Sequence, residues 1–401
     1  MARAIGGPYV QHEFGDKVLE QYKLHLGWVT AQVDTSIAWP LDDTLIHYGG
    51  DDYFLRGTRD DHSLQPCLTM RTSKIQPVNQ ALQKMYKFGS ILGWYLDGFV
   101  DVRGHITSSH AVRYSQMGAP RGGVVMGGGQ KLDCNYLPIV ESDEVRRALA
   151  FWREGQRLYR IHDAYSFLSF YKVIDSQFTK AKGREKGAWI SAAIPKLTRH
   201  AADRVRELQA QGLDVSTHIL ESGRHAIAHA SIGEVIVDPD LVEDRERIFK
   251  DIDVMQGLAQ LFIRDELGIP TRMDVYRERD RLIPLYKFID PAKLEIAKAS
   301  DAVPRRSLKL DGMQLSVNIW PEPPSESFKG LSLRVLSIRN GVARVTATNS
   351  DQSLSLVFYF DFLKGKAHAA VSENFALSPS RGGKRSLRDS YDGVASGRGR
   401  K

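Results

Sequence analysis

Residues 244–268 read DRERIFKDIDVMQGLAQLFIRDELG, and this stretch decides the fold of the middle of the chain. Its apolar residues recur three and four positions apart, the spacing of a helix with one buried face. Gly268 and Pro270 follow the last apolar residue and predict the end of the helix. The apolar positions are Ile248, Ile252, Met255, Leu258, Ala259, Phe262 and Leu267.

Upstream of this stretch, further helical patterns predict a bundle. Residues 142–178 carry two apolar stripes, so we expect one long helix or two consecutive ones, starting at Ser142 with acidic residues in the first turn. A third helix is predicted over 194–211, where Gly212 ends it, and a short fourth helix within 215–230. Four or five helices with short connectors are typical of a helical bundle.

The flanking segments are predicted to contain strands. Tyr22, Leu24, Leu26 and Trp28 alternate with polar residues, and a helical spacing over 82–95 follows. After a charged linker at 274–280, alternating apolar residues return around the hairpin signal Asn340-Gly341. The predicted fold class is α+β: a central all-α bundle between a mixed α/β N-terminal domain and a small antiparallel β module.

These patterns divide the chain into four parts. We expect a mixed α/β domain over 1–137, the helical bundle over 138–290, the β-rich module over 300–377, and a disordered basic tail over 378–401.

Composition favours a soluble, globular, cytoplasmic protein. Of 401 residues, 42% are hydrophobic and 26% are charged, which excludes fibrous and largely disordered classes. No apolar run approaches the roughly 18 residues of a membrane span, and the first residues lack the apolar core of a signal peptide. Cys67 and Cys134 are too few for a disulfide framework. We therefore expect no membrane partner.

The net charge of +7 is concentrated at the C-terminus. Residues 379–401 hold seven basic and two acidic side chains, so the rest of the chain is close to neutral. A basic tail predicts sequence-independent contacts with phosphate groups. The basic residues are Arg381, Lys384, Arg385, Arg388, Arg398, Arg400 and Lys401.

The candidate for chemistry is ESGRHAIAHA, residues 221–230. Arg224 and His229 form an Arg-x4-His pair, and the polar His225 follows the arginine directly. Two other pairs, Arg157…His162 and Arg103…His110, have comparable spacing. The first lies in a helix explained as core, and the second in a Gly/Ser/Thr stretch that need not be helical. Only the pair in 221–230 lies among small residues between two long helices.

With Arg-x4-His and a polar residue after the arginine, the chain resembles the HEPN superfamily over about residues 142–268. In addition, the runs FWREGQRLYRIHDAYSFLSFYKVIDSQF (151–178), SGRHAIAHA (222–230) and VDPD (237–240), together with 244–268, resemble MauJ-type proteins encoded in methylamine-utilisation gene clusters.

The HEPN resemblance implies a metal-independent endoribonuclease without a cofactor, acting as a homodimer through the bundle. It assigns phosphate binding to Arg224, acid/base catalysis to His229 and an orienting role to His225, with Glu221 in a supporting role. An arginine fork suits a phosphate, and a histidine suits proton transfer near neutral pH. Residues five apart on an α-helix point about 140° from one another, which favours a site shared between two chains.

Other interpretations of the same residues remain open. Glu221, His225 and His229 are spaced i, i+4 and i+8, which is compatible with a metal site, but no glutamate stands between the histidines and the predicted metal content is none. The helix can also be a solvated or dimer-facing surface of a non-catalytic accessory protein linked to methylamine utilisation. The glycine-rich run 118–131 lacks the ending of a phosphate loop and is interpreted as a connector.

Overall fold

The computed structural model describes two compact units, 1–277 and 278–401. Within them the described residues are 11–13, 27–58, 65–114, 132, 134, 136–179, 182–225, 227, 237–318, 327–369 and 376–377. None of the helices in these ranges is both long and apolar enough to cross a bilayer.

The first unit begins with an antiparallel sheet of order β1-β3-β4-β5-β2-β6. One helix, α1, connects the last two strands in sequence and packs on the sheet. The bounds are β1 Gln11–Glu13, β2 Gly27–Thr35, β3 Thr44–Tyr48, β4 Asp51–Arg56, β5 Cys67–Thr72, α1 Val78–Tyr95 and β6 Val100–Ser108.

Helices dominate the remainder of this unit, where the described elements are α2 Asp143–Leu158, α3 Asp163–Asp175, α4 Gly183–Ala193, a 3-10 turn Ile194–Lys196, α5 Arg199–Ala210, α6 Val215–His218, a π-helix Ile219–His225, α7 Val242–Leu261, a second π-helix Phe262–Glu266 and α8 Arg272–Glu278.

Several helix predictions are confirmed. All apolar positions predicted for α7 are buried except Leu267, which is partly buried. Ser142 is the N-cap of α2, where its hydroxyl accepts hydrogen bonds from the amides of Glu144 and Val145. Residues 142–178 form two helices, which separate at Arg160, a residue with positive φ.

Two details of the predicted pattern are wrong. Helix α4 was not anticipated, because its two glycines and few apolar residues give only a weak stripe. The segment expected to be a charged linker contains α8, which begins with a reciprocal cap: the amide of Asp274 donates to Oγ1 of Thr271, and the amide of Thr271 donates to Oδ2 of Asp274.

A continuous hydrophobic core runs through the sheet, α1 and the helices from α2 to α7. Trp94 of α1 contacts Trp152 of α2 edge to face, with ring centroids 5.0 Å apart, and Trp152 contacts Phe170 of α3 at 5.2 Å. These aromatic contacts tie the sheet layer to the helices that carry the candidate site.

The second unit is built on antiparallel strands in the order β12-β11-β10-β9-β7, with β8 paired to β9 and β13 paired to β11. The predicted turn at Asn340-Gly341 is confirmed, and both residues have positive φ, as a type I′ hairpin requires. The bounds are α9 Ile283–Tyr286, α10 Pro291–Ala299, β7 Ala302–Val303, β8 Gln314–Asn318, β9 Ser327–Arg339, β10 Val342–Thr348, β11 Leu354–Asp361, β12 Lys366–Ala369 and β13 Ala376–Leu377.

The fold is therefore α+β, with an antiparallel module at the C-terminus, as predicted. The four-part domain division stays a prediction, and so does the HEPN character of the helices. Three predicted features fall largely or wholly outside the described residues: the strand pattern at Tyr22–Leu26, the glycine-rich run and the basic tail.

Candidate functional site

Arg224 lies near the end of an irregular helical segment. Asp214 caps α6 by accepting a 2.7 Å hydrogen bond from the amide of Thr217, and the chain changes to π-helix at Ile219. Ile219 is completely buried, so the segment is anchored in the core at its first residue. π-helical turns are rare and frequently occur at functional sites, so this segment is a candidate functional site.

Close packing against α3 explains the small residue before Arg224. Gly223 is buried, and a methyl group added at its Cα would lie 2.5 Å from Cζ of Phe167. Phe167 is itself fully buried. Only glycine lets the π-helix approach the Phe167 ring this closely, which places Arg224 against the same helix.

The guanidinium of Arg224 lies over an aromatic ring of α3. Its Cζ is 5.7 Å from the centroid of Tyr171, within the range of a cation–π contact. Lys186 of α4 approaches the same tyrosine and donates a 2.7 Å hydrogen bond to its hydroxyl oxygen. Asp175 accepts hydrogen bonds from both Tyr171 and Lys186. These four side chains, hereafter the Tyr171 cluster, contain two cations and one carboxylate.

The protonation states of the cluster follow from its partial burial. Burial raises the pKa of the Tyr171 hydroxyl. The hydrogen bond from Lys186 lowers this pKa, and the negative charge of Asp175 raises it. Burial alone would lower the pKa of Lys186, but its hydrogen bonds with Asp175 and Tyr171 outweigh burial, and the pKa is raised. At neutral pH Tyr171 is therefore neutral, Lys186 is charged, and the cluster keeps an excess of positive charge.

A second charged group lies in the core beside the start of the π-helix. Asp251 of α7 has no solvent exposure. Its Oδ1 accepts from Nε of Arg204 on α5 at 2.8 Å, and its Oδ2 lies 2.8 Å from Nε2 of His218, the last residue of α6. We call Arg204, His218 and Asp251 the buried charged triad. It joins three helices and holds the residue directly before Ile219.

The predicted catalytic residues fare differently in the structure. Arg224 is half-buried and Glu221 is exposed. The backbone of His225 belongs to the π-helix, whose i to i+5 hydrogen bonds do not keep the α-helical spacing assumed for Glu221 and His225. His229 lies outside the described residues, as do the seven basic residues of the tail. The roles proposed for these residues stay predictions.

The two competing Arg…His pairs have structural explanations. Arg157 forms an ion pair with Asp101, which is 7% exposed. Arg103 lies in strand β6, where it donates a 2.7 Å hydrogen bond to Asp34. Arg157 therefore links α2 to a carboxylate of the sheet, and Arg103 links β6 to a carboxylate of β2.

Sequence reasoning missed most of the cluster and all of the buried charged triad. Lys186 was missed because α4 was not predicted, and Tyr171 lies within the apolar stripes of 142–178, which predict buried helix rather than a site. Asp251 had a usable signal: it stands three residues after Ile248 and directly before Ile252, on the apolar face of α7. A carboxylate on such a face requires partners in the core.

A pocket of about 360 Å³ lies elsewhere, where the start of β4 and the end of β5 meet the first turns of α1. Its charged lining residues neutralise one another, since Lys84 pairs with Asp51 at 2.7 Å and Arg71 pairs with Asp52 at 2.9 Å. Among the described residues, no three His, Cys, Asp or Glu side chains converge as metal ligands would. The metal interpretation of residues 221–229 involves a histidine outside that part of the chain.

Residues 148–264 match a family model, described as methylamine utilization protein MauJ. The resemblance to MauJ-type proteins is thus confirmed for this segment. Comparison with curated proteins and with solved structures gives no significant match.

The matched segment contains the whole candidate site. It includes the Tyr171 cluster, the buried charged triad and residues 224–229 of the Arg-x4-His motif. Both flanking strand regions fall outside it.

Proposed function

We propose that this chain is an RNA-directed MauJ-type protein whose helices form an HEPN-like bundle with metal-independent endoribonuclease activity. The observation that carries the proposal is that Arg224 and Lys186 both contact Tyr171, which brings two cationic side chains to the start of the Arg-x4-His segment. A partly buried arginine beside a lysine suits a phosphate diester.

The reaction assigned to these residues is a transesterification. Arg224 binds the scissile phosphate and neutralises the charge that grows on its oxygens. His229 takes the proton of the 2′-hydroxyl, whose oxygen attacks phosphorus while the bond to the 5′ oxygen breaks. A protonated histidine donates a proton to the leaving 5′ oxygen. The products are a cyclic phosphate and a 5′-hydroxyl, with His225 orienting His229 and Glu221 supporting the site.

Homodimerisation through the helices is part of the proposal. The turn after α2 and the first half of α7 expose Ile161, Val242 and Phe249, which are 78%, 62% and 47% accessible. Arg160 connects the two elements, since its guanidinium lies 3.7 Å from the Phe249 ring centroid. Large apolar side chains that remain exposed in a protomer favour burial against a second copy.

The test is cleavage of a labelled, structured RNA by purified protein in excess EDTA, with end-group analysis of the products. We expect the wild type to leave cyclic phosphate and 5′-hydroxyl ends, and His229→Ala and Arg224→Ala to abolish cleavage. Arg206→Ala serves as the matched control, because Arg206 is an exposed arginine of α5 that pairs with Asp203. Removing residues 379–401 should weaken RNA retention at low salt only.

A second candidate function follows from the family match itself. The matched family is named for methylamine utilisation, which favours a non-catalytic accessory protein in which the bundle only dimerises. In that case His229→Ala and Arg224→Ala change dimer mass or solubility, and no RNA is cut by any variant. Cleavage that is lost equally in Arg206→Ala would also refute the ribonuclease proposal.

A further inference from the structure

The basic charge of the chain belongs to the second compact unit. Residues 278–401 contain 21 lysines and arginines against 13 acidic residues, whereas residues 1–277 contain 34 against 35. The tail supplies only part of this excess, because residues 278–377 are also net basic, with 14 against 11. The folded part of the second unit therefore carries positive charge of its own.

One face of the C-terminal sheet presents this charge to solvent. Along β9 and β10 the buried residues alternate with exposed ones, so that Val335 and Val345 point into the core while Arg334 and Arg344 are exposed. Arg339, at the end of β9, is exposed as well. We call this side of the sheet the outer face.

Strand register aligns an aromatic residue with the arginines. Arg344 is paired with Ser337 on β9 and with Tyr359 on β11, and Tyr359 is paired with His368 on β12. These four residues form a row across four strands that are about 4.8 Å apart. His368 is exposed and Tyr359 is partly exposed. The row thus combines a guanidinium with two rings on one face of the sheet.

A neighbouring row carries a second arginine. Thr346 is paired with Arg334 on β9 and with Val357 on β11. Asp361 adds a carboxylate to this side, and its Oδ1 accepts hydrogen bonds from the amides of Leu363 and Lys364, both at 3.0 Å. The face stays cationic because Arg334, Arg339 and Arg344 outnumber this carboxylate.

We propose that the outer face binds single-stranded RNA. Arg334 and Arg344 contact phosphates, and Tyr359 and His368 stack on unpaired bases. The hydroxyls of Ser337 and Thr346 lie beside the arginines in the register and suit the ribose 2′-hydroxyl. A flat sheet with rings on it engages splayed bases, which a duplex does not offer. This surface and the Arg224 site share no residue, and binding here does not depend on cleavage.

The experiment measures anisotropy of a fluorescein-labelled 12-nucleotide oligouridine with the full chain in EDTA, over a series of salt concentrations. It is run with the wild type and with His229→Ala. In His229→Ala the proposed cleavage is absent, so the probe stays intact. We expect R334Q/R344Q to lose tenfold or more in affinity and to reduce the slope of log K against log salt by about 1.4, the value for two phosphate contacts to a single strand. Tyr359→Thr should lose about fivefold or more with an unchanged slope.

R305Q/R306Q is the matched control, because both arginines are exposed, lie in the same unit and belong to a turn outside the strands. Circular dichroism verifies that each variant is folded. The affinity measured for R334Q/R344Q does not depend on cleavage, so a failure of the ribonuclease proposal leaves this one standing. Equal losses in R334Q/R344Q and R305Q/R306Q would overturn it. So would effective competition by a duplex, or an R334Q/R344Q defect confined to binding of phosphatidylserine vesicles.

Discussion

Replacing Asp251 with asparagine tests whether the buried charged triad holds the helices together. The substitution keeps the shape of the side chain but removes the negative charge that faces Arg204 and His218. Arg204 is only 11% exposed, so its guanidinium would be left largely uncompensated in the core. Breaking a buried pair in this way costs about 3–5 kcal/mol. Arg204 also donates to Glu207 at 3.0 Å, so we expect a loss near the lower end, about 3 kcal/mol.

Thermal unfolding followed by circular dichroism measures the effect. A loss of about 3 kcal/mol corresponds to a midpoint lower by roughly 6–12 °C in a unit of this size. Asp203→Asn is the control, because it breaks the ion pair between Asp203 and Arg206 on α5, the helix that carries Arg204. The two partners are 55% and 69% exposed, and such pairs contribute at most about 1 kcal/mol. Equal midpoints for Asp251→Asn and Asp203→Asn would refute the reasoning.

A triple replacement separates uncompensated charge from lost packing. Changing Arg204, His218 and Asp251 together to leucine removes every charge while keeping apolar volume, and such exchanges are often neutral or stabilising. We expect the triple variant to unfold at a higher temperature than Asp251→Asn. A lower midpoint would show that shape, rather than charge compensation, determines the stability of this region.

Two further changes test the packing around the site and the sheet. Gly223→Ala should destabilise the protein by about 1–3 kcal/mol, because its methyl group would meet the Phe167 ring, and the second change Phe167→Leu should recover part of that loss. Burial raises the pKa of Cys67 to about 11, so the unfolded chain loses this proton first and wild-type stability should fall between about pH 9 and 11. Cys67→Ala should lack this component in urea titrations across that range, whereas identical pH profiles for the two proteins would contradict the assignment.

Periodicity could predict those elements whose burial is one-sided and strong. Helix α7 and the hairpin at Asn340-Gly341 were predictable because a 3.6-residue stripe and a left-handed turn each have a direct sequence signature. Helix α4 had neither, since Gly183 and Gly187 interrupt a sequence with few apolar residues. Because α4 was not predicted, its residue Lys186 could not be predicted as a neighbour of Arg224.

The candidate site depended on contacts between helices, which spacing within one helix does not encode. Arg224 was identified from its local motif, but Tyr171 is 53 residues earlier in the chain and reaches it only through the packing of Gly223 on Phe167. The π-helix was equally beyond prediction, because the periodicity of 221–230 was interpreted with α-helical geometry. Backbone irregularity of this kind arises from tertiary packing and overrides local preference.

The two proposals depend on different physical properties and therefore fail independently. At Arg224 the charge excess is small, and partial burial beside Tyr171 is what would strengthen its hold on a phosphate. On the outer face the arginines are exposed, so binding there depends on the number of phosphate contacts and weakens steeply with salt. An RNA affinity that resists salt and is lost in Arg224→Ala would point to the helical site. An affinity that falls with salt and is lost in R334Q/R344Q would point to the sheet.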